Sequence, residues 1–68
     1  MDNKLQKIGR KLRTARGGMS LRRASELCEV TENTMEKYEA GERLPESTVM
    51  LRIADCYGVS VQELFYDD

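Results

Sequence analysis

Residues 19–41 read MSLRRASELCEVTENTMEKYEAG, and their apolar spacing predicts two short helices joined by a tight turn. The first helix opens at Ser20, whose hydroxyl can cap free backbone N–H groups. Apolar residues then recur at the three-and-four spacing of one helical face: Leu21, Ala24, Leu27 and Cys28. This pattern predicts a helix over residues 21–28.

The second helix of the pair begins after the apolar pattern breaks. Thr31 offers a second cap, Met35 and Tyr38 share one face, and Gly41 follows as a stop signal. We therefore expect a helix over residues 32–40. Two short helices joined by a turn of about three or four residues form a helix-turn-helix unit, whose second helix can lie in the major groove of DNA.

The flanking sequences predict three more helices. Residues 4–16 combine an apolar stripe with basic side chains, and Gly9 within them suggests the close approach of a neighbouring helix. Pro45 and Gly58 bracket a second apolar-periodic segment, and Ser60-x-x-Glu63 is a capping-box pattern. We predict an all-α fold, a compact five-helix bundle with a central helix-turn-helix. Its helices are expected near residues 3–16, 21–28, 32–40, 46–57 and 61–65 of one domain, residues 1–68.

Length and composition restrict the class of protein. A chain of 68 residues buries only about 60% of the surface that its unfolded form exposes, so its core must be small. Hydrophobic residues make up 40% and charged residues 34%, which is typical of a globular protein and too apolar for a disordered one. Because no run of about eighteen apolar residues and no export signal is present, we expect a cytoplasmic protein that does not bind a membrane.

Residues for metal or enzyme chemistry are sparse. The chain has no histidine, and Cys28 and Cys56 lack the spacing of a zinc site, so we expect no metal and no other cofactor. Buried thiols are the favoured interpretation of the two cysteines, with a disulfide left open. The sequence has no nucleophile flanked by a base and no glycine-rich phosphate loop after a strand, which favours a protein that is not an enzyme and has no small-molecule substrate.

Charge is divided unevenly along the chain. The net charge is −1, yet residues 1–30 hold eight Lys or Arg against three Asp or Glu, whereas residues 31–68 hold three against nine. The halves therefore carry +5 and −6. Such a field could place one face on phosphates or let two copies meet head to tail.

As a set, these motifs resemble the Cro/phage-repressor-like helix-turn-helix family, also called the xenobiotic-response-element regulators. The similarity spans nearly all of residues 8–65. It is carried by Ile8-Gly9, Leu12-Arg13, Met19-Ser20, Val30-Thr31, Lys37-Tyr38-Glu39-x-Gly41, Pro45, Ile53-Ala54 and Gly58-Val59-Ser60-x-x-Glu63-Leu64. The resemblance implies a lambda-repressor-like DNA-binding domain, commonly a homodimer on a palindromic operator of double-stranded DNA. Repression of transcription is the simplest consequence.

The resemblance also implies roles for individual residues. The helix that starts at Thr31 would be the recognition helix, with Glu36 on its DNA face. Base-edge contacts would come from Glu32, Asn33 and Lys37, and phosphate contacts from Ser20, Leu21, Thr31, Thr34 and Arg43. Arg16 and Glu39 match the positions of an ion pair between the first helix and the recognition helix.

The fit to the family pattern has gaps at four residues that matter for DNA binding. Leu21 stands where glutamine is usual and can offer at most a backbone N–H. Glu29 replaces the turn glycine, and a left-handed side-chain residue costs roughly 1–2 kcal/mol, so either the turn differs or the strain is tolerated. Glu32 lies one turn from Glu36 on the presumed DNA face, where both repel phosphates. These carboxylates motivate an alternative, a protein-interaction module on the same fold with weak or lost DNA binding.

Overall fold

The computed structural model describes residues 3–66, which form five helices. We label them α1 (Lys4–Arg16), α2 (Leu21–Cys28), α3 (Glu32–Glu39), α4 (Ser47–Tyr57) and α5 (Gln62–Tyr66). The described residues contain no strand, so the predicted all-α bundle is confirmed. No helix in this part of the chain has the length and apolar content of a membrane span.

The bounds of α2 match those expected, whereas one end each of α1, α3 and α4 lies one residue inside the expected bound, because the flanking residues act as caps. Asn3 precedes α1 and its side chain accepts from the Gln6 N–H at 2.8 Å, while the Gln6 side chain accepts from the Asn3 N–H at 3.3 Å. Ala40 is the C-cap of α3, and Glu46 is the N-cap of α4 without a side-chain cap bond.

The last helix has the expected cap and an unexpected winding. The Ser60 hydroxyl accepts from the Glu63 N–H at 3.0 Å, as a capping serine should. The five residues that follow, 62–66, wind as a π-helix instead of an α-helix over 61–65. This turn buries Leu64 and Phe65 against the rest of the bundle.

One apolar core lies between all five helices. Its largest fully buried side chains are Leu12, Cys28, Met35, Ile53 and Phe65. Helix α1 packs against α3 and α5, and α2 packs against α3 and α4, so the helix-turn-helix is held between two other helices. The buried side of α2 is centred on Ala24 and Cys28, whereas Leu27, expected on the apolar face, is 40% exposed at its edge.

Both described cysteines are free thiols. Cys28 is fully buried at the end of α2, and burial raises the pKa of its thiol to about 12. Cys56 in α4 is half-buried. Cys28 therefore behaves as a small apolar core residue.

Candidate nucleic-acid interface

Two hydroxyl caps define where the helices of the candidate interface begin. The Ser20 hydroxyl accepts from the Arg23 N–H at 3.0 Å, and the Thr31 hydroxyl accepts from the Thr34 N–H at 3.1 Å. Each cap satisfies one of the N–H groups that a helix start leaves without an intrahelical partner. The Thr31 hydroxyl also donates to the Thr34 hydroxyl at 2.7 Å, which brings these two predicted phosphate ligands together.

The turn between α2 and α3 keeps a left-handed residue although its glycine is missing. Glu29 has φ 58° and ψ 42°, and it is the only residue other than glycine with positive φ among residues 3–66. The strained form of the turn is therefore the one adopted, at roughly 1–2 kcal/mol for a side chain in this conformation. The Val30 N–H closes the turn on the Ser25 carbonyl at 3.0 Å.

A partly buried ion pair connects α1 to the end of α3, and its arginine also bonds the loop before α2. The Arg16 guanidinium donates to both Glu39 carboxylate oxygens, at 2.7 and 2.9 Å, and to the Met19 carbonyl at 2.7 Å. The Glu39 side chain is 4% exposed and that of Arg16 is 18% exposed. The hydrogen bonds from Arg16 to Glu39 raise the pKa of the guanidinium above its usual value, so Arg16 stays charged at every ordinary pH.

Gly9 allows α1 to lie directly on the backbone of α3. A Cβ atom at this position would overlap the Glu39 carbonyl oxygen and would lie 2.9 Å from its carbonyl carbon and 3.0 Å from the Tyr38 oxygen. The neighbouring helix suggested by this glycine is thus α3. The close contact and the Arg16 pair fix the same end of α3.

The outward side of α3 does not pack against the rest of the protein. Side chains at four positions that the sequence assigns to DNA contact are exposed: Glu32, Asn33, Glu36 and Lys37. Thr34 is partly buried, and the opposite side of the helix is buried through Met35 and Tyr38. α3 therefore presents a polar surface of two carboxylates, one amide and one ammonium group.

The loop after α3 turns sharply and exposes a further cation. Gly41, at φ 75°, donates to the Tyr38 carbonyl at 3.2 Å, and the Glu42 N–H donates to the Lys37 carbonyl at 3.0 Å. A Cβ at Gly41 would lie 2.9 Å from the Gln6 Cα in α1, so only glycine fits both the turn and the space. Arg43 follows this turn and is exposed.

The start of α2 holds two cations that the sequence analysis did not assign to the interface. Arg22 and Arg23 are exposed in its first turn, two and three residues after Ser20, whereas Leu21 between them and Ser20 is half-buried and packs against the core. Positive side chains oppose the helix dipole at an N-terminus, so helix stability does not explain them. The signal in the sequence that points to these two cations is a pair of arginines in the first turn after a capping serine.

The carboxylates of α3 have different relations to their own helix. Glu32 lies in the first turn, where a negative charge is stabilised by the helix dipole. Glu36 lies one turn further on, on the same side, and repels Glu32 by a few tenths of a kcal/mol. Stabilisation of α3 therefore explains a carboxylate at Glu32. The described contacts give no such explanation for Glu36.

Comparisons with known proteins give a consistent fold. A family model described as helix-turn-helix domain matches residues 7–64. No curated protein sequence shows a significant match. Among solved structures, the chain is similar to the BldD DNA-binding domain of S. venezulae, at 32% identity and TM-score 0.80, with 94% of this chain and 99% of that chain covered.

Two further structures resemble the bundle. The restriction-modification controller protein C.AhdI of Aeromonas hydrophila has 27% identity and TM-score 0.83, with 90% of this chain and 96% of that chain covered. The clp gene regulator ClgR of C. glutamicum has 23% identity and TM-score 0.86, with coverage of 94% and 85%, and is informative about the fold alone.

Proposed function

The chain belongs to the helix-turn-helix domain family, and from this membership we propose that it is a DNA-binding transcription regulator that reads a duplex with α3. The observation that carries the proposal is the exposed side of α3, because a recognition helix sealed against its own core could not enter a groove. Two of the similar structures, a DNA-binding domain and a restriction-modification controller protein, support the same role.

Each part of the surface has a chemical task in this proposal. The Asn33 amide can pair with adenine, the Lys37 ammonium with guanine O6 or N7, and Glu32 can accept from cytosine N4. Phosphate contacts fall to the hydroxyls of Ser20, Thr31 and Thr34, the backbone N–H of Leu21, and the cations Arg22, Arg23 and Arg43. Glu36 lies beside these groups and lowers affinity through phosphate repulsion.

The finer role follows from occupancy of an operator. Two copies would place their α3 helices about 34 Å apart, in adjacent major grooves of a palindromic site. A homodimer bound there in the cytoplasm would block transcription, so repression is the simplest outcome. Nothing in this mechanism requires a cofactor or an enzymatic step.

Salt dependence of binding tests the proposal. If Arg22, Arg23 and Arg43 each neutralise a phosphate, log K should fall against log salt with a slope of roughly −3 per protein copy. Fluorescence anisotropy of labelled duplexes, first selected from a random pool, provides the measurement. Negligible binding to every duplex at low salt would refute the proposal and favour a protein-interaction module, for which the acidic half of the chain, residues 31–68, would form the contact surface.

Substitution of Lys37 separates base reading from general attraction. Lys37→Ala should weaken binding to the selected duplex by about 1–3 kcal/mol and relax the preference at one base pair. Lys7→Ala in α1 removes the same charge from an exposed position outside the proposed interface and is the matched control. An equal loss on selected and random duplexes would show that Lys37 only attracts phosphates.

A further inference from the structure

The C-terminal end of α2 leaves three carbonyl oxygens without a donor from their own helix. The turn itself satisfies two earlier carbonyls, because the Val30 N–H donates to Ser25 O at 3.0 Å and the Glu29 N–H to Glu26 O at 3.3 Å. The last carbonyls of a helix have no intrahelical partner and need another donor. Here they belong to Leu27, Cys28 and Glu29.

Two side chains of α4 supply the missing donors. The Arg52 guanidinium Nη1 donates to the Cys28 carbonyl at 3.4 Å and to the Glu29 carbonyl at 3.3 Å. The Cys56 thiol donates to the Leu27 carbonyl at 3.0 Å. Positions 52 and 56 are one turn apart and share a face of α4. The carbonyls of Leu27, Cys28 and Glu29 are therefore all met from the same neighbouring helix.

Arg52 also supplies the charge that this helix end lacks. A helix C-terminus carries a partial negative charge that a nearby cation stabilises, and α2 has no basic residue in its last turn. The Arg52 guanidinium lies there instead, on the carbonyl of the one strained residue of the turn, Glu29. Its two hydrogen bonds hold the left-handed turn in place where glycine would adopt it without strain.

We propose that Arg52 is a positioning residue for DNA recognition, which sets the direction of α3 by clamping the turn that precedes it. Thr31, the cap of α3, follows Glu29 by two residues, so a change in the turn rotates the whole recognition helix. This inference rests on the proposed DNA-binding function. Arg52 itself touches α2 and the turn and needs no contact with the duplex.

Arg52→Met tests the inference in DNA binding, because methionine keeps an apolar stem and removes the donors and the charge. At a temperature where circular dichroism shows full folding, the ratio of affinities for selected and random duplexes should fall by about tenfold, because both long hydrogen bonds from the charged group are lost. Lys7→Met removes an equal charge elsewhere in the chain and should leave that ratio unchanged.

Glu29→Gly should rescue the variant. Glycine holds the left-handed turn without Arg52, so Glu29→Gly alone should change the affinity ratio little, and Arg52→Met with Glu29→Gly should restore it. Arg52→Lys keeps the charge with a different donor geometry and should retain part of the ratio. A wild-type ratio in folded Arg52→Met, or no rescue by glycine, would overturn the inference.

Amide hydrogen exchange tests the clamp without DNA. The Val30 amide closes the α2–α3 turn and should exchange about tenfold faster in Arg52→Met. The Val59 amide, which donates to Ala54 O at 3.1 Å after Gly58, closes a similar turn and is the internal control. Equal acceleration of both amides would mean general loss of stability and would refute the clamp. If wild-type protein binds no duplex while Val30 alone accelerates, the proposed function fails and the clamp stands.

Discussion

Gly9→Ala offers a direct test of the contact between α1 and α3. In an unconstrained helix interior this change stabilises by about 1 kcal/mol, because alanine has the higher helix propensity. Here the new Cβ would overlap the Glu39 carbonyl oxygen and lie within 3.0 Å of two further backbone atoms. Backbone cannot swing aside as a flexible side chain can, so the helices must separate.

The expected change in the free energy of unfolding is the difference between the cost of the clash and the gain in helix propensity. Insertion of a methyl group into a packed site costs about 1–3 kcal/mol, and a clash with three backbone atoms places this site at the upper end of that range. After the gain of about 1 kcal/mol in propensity, a net loss of about 2 kcal/mol remains. For a domain of this size, such a loss lowers the melting temperature by roughly 8–16 °C.

Urea unfolding followed by circular dichroism measures the loss, with an unchanged m-value as the sign that only stability is altered. Gly18→Ala is the control, since its Cβ would meet no atom within 4 Å and its φ is not positive. That variant should be neutral or more stable by about 0.4–1 kcal/mol. If Gly9→Ala proved as stable as wild type, the close approach of α1 to α3 would be wrong.

Three further predictions concern single groups. Changing Glu32 and Glu36 to Gln should raise general affinity, measured on random duplexes at low salt, severalfold, because phosphate repulsion is removed. Unchanged affinity in the anisotropy assay would show that both carboxylates point away from the duplex. The Tyr57 hydroxyl is buried with no hydrogen-bond partner among residues 3–66, so Tyr57→Phe should raise the free energy of unfolding by about 1 kcal/mol in urea unfolding. A lower free energy of unfolding in this variant would reveal a partner of the hydroxyl. The pKa of the Cys28 thiol is raised by burial from 9.0 to about 12, so the folded state keeps a proton that the unfolded state releases. The free energy of unfolding should therefore fall between pH 9 and 12 by up to about 1.4 kcal/mol per pH unit, and Cys28→Ala should remove this component; an identical pH slope in the variant would contradict it.

Local signals account for the parts of the fold that the sequence predicted. Ser20 and Thr31 begin helices because each hydroxyl bonds an N–H three residues ahead. Gly41 and Gly58 follow helix ends because both adopt positive φ. Such hydrogen bonds join residues a few positions apart, so both partners can be predicted from the local sequence. The same holds for the exposed positions of α3, which alternate with Met35 and Tyr38 at helical period.

The features of the fold that the sequence does not predict depend on contacts between residues that are far apart in the chain. Gly9 indicated a close neighbour, but its contact with the Glu39 carbonyl depends on the packing of two helices. Arg52 bonds carbonyls 23 and 24 residues earlier, and no periodicity marks such a pair. The sequence does not decide whether Glu29 adopts the left-handed conformation, for a related reason. The groups that stabilise this strained form lie on α4.

Helix α3 owes its orientation to residues outside the surface proposed to touch DNA. An isolated helix of eight residues is marginal in water, so α3 keeps its direction through contacts with other helices. Arg16 and Gly9 of α1 hold its C-terminal end, and Arg52 of α4 holds the turn before its first residue. Because these supports act on opposite ends of α3, loss of either one should tilt the helix about the other. Base contacts, which depend on angle, would then weaken more than phosphate contacts, which depend mainly on charge.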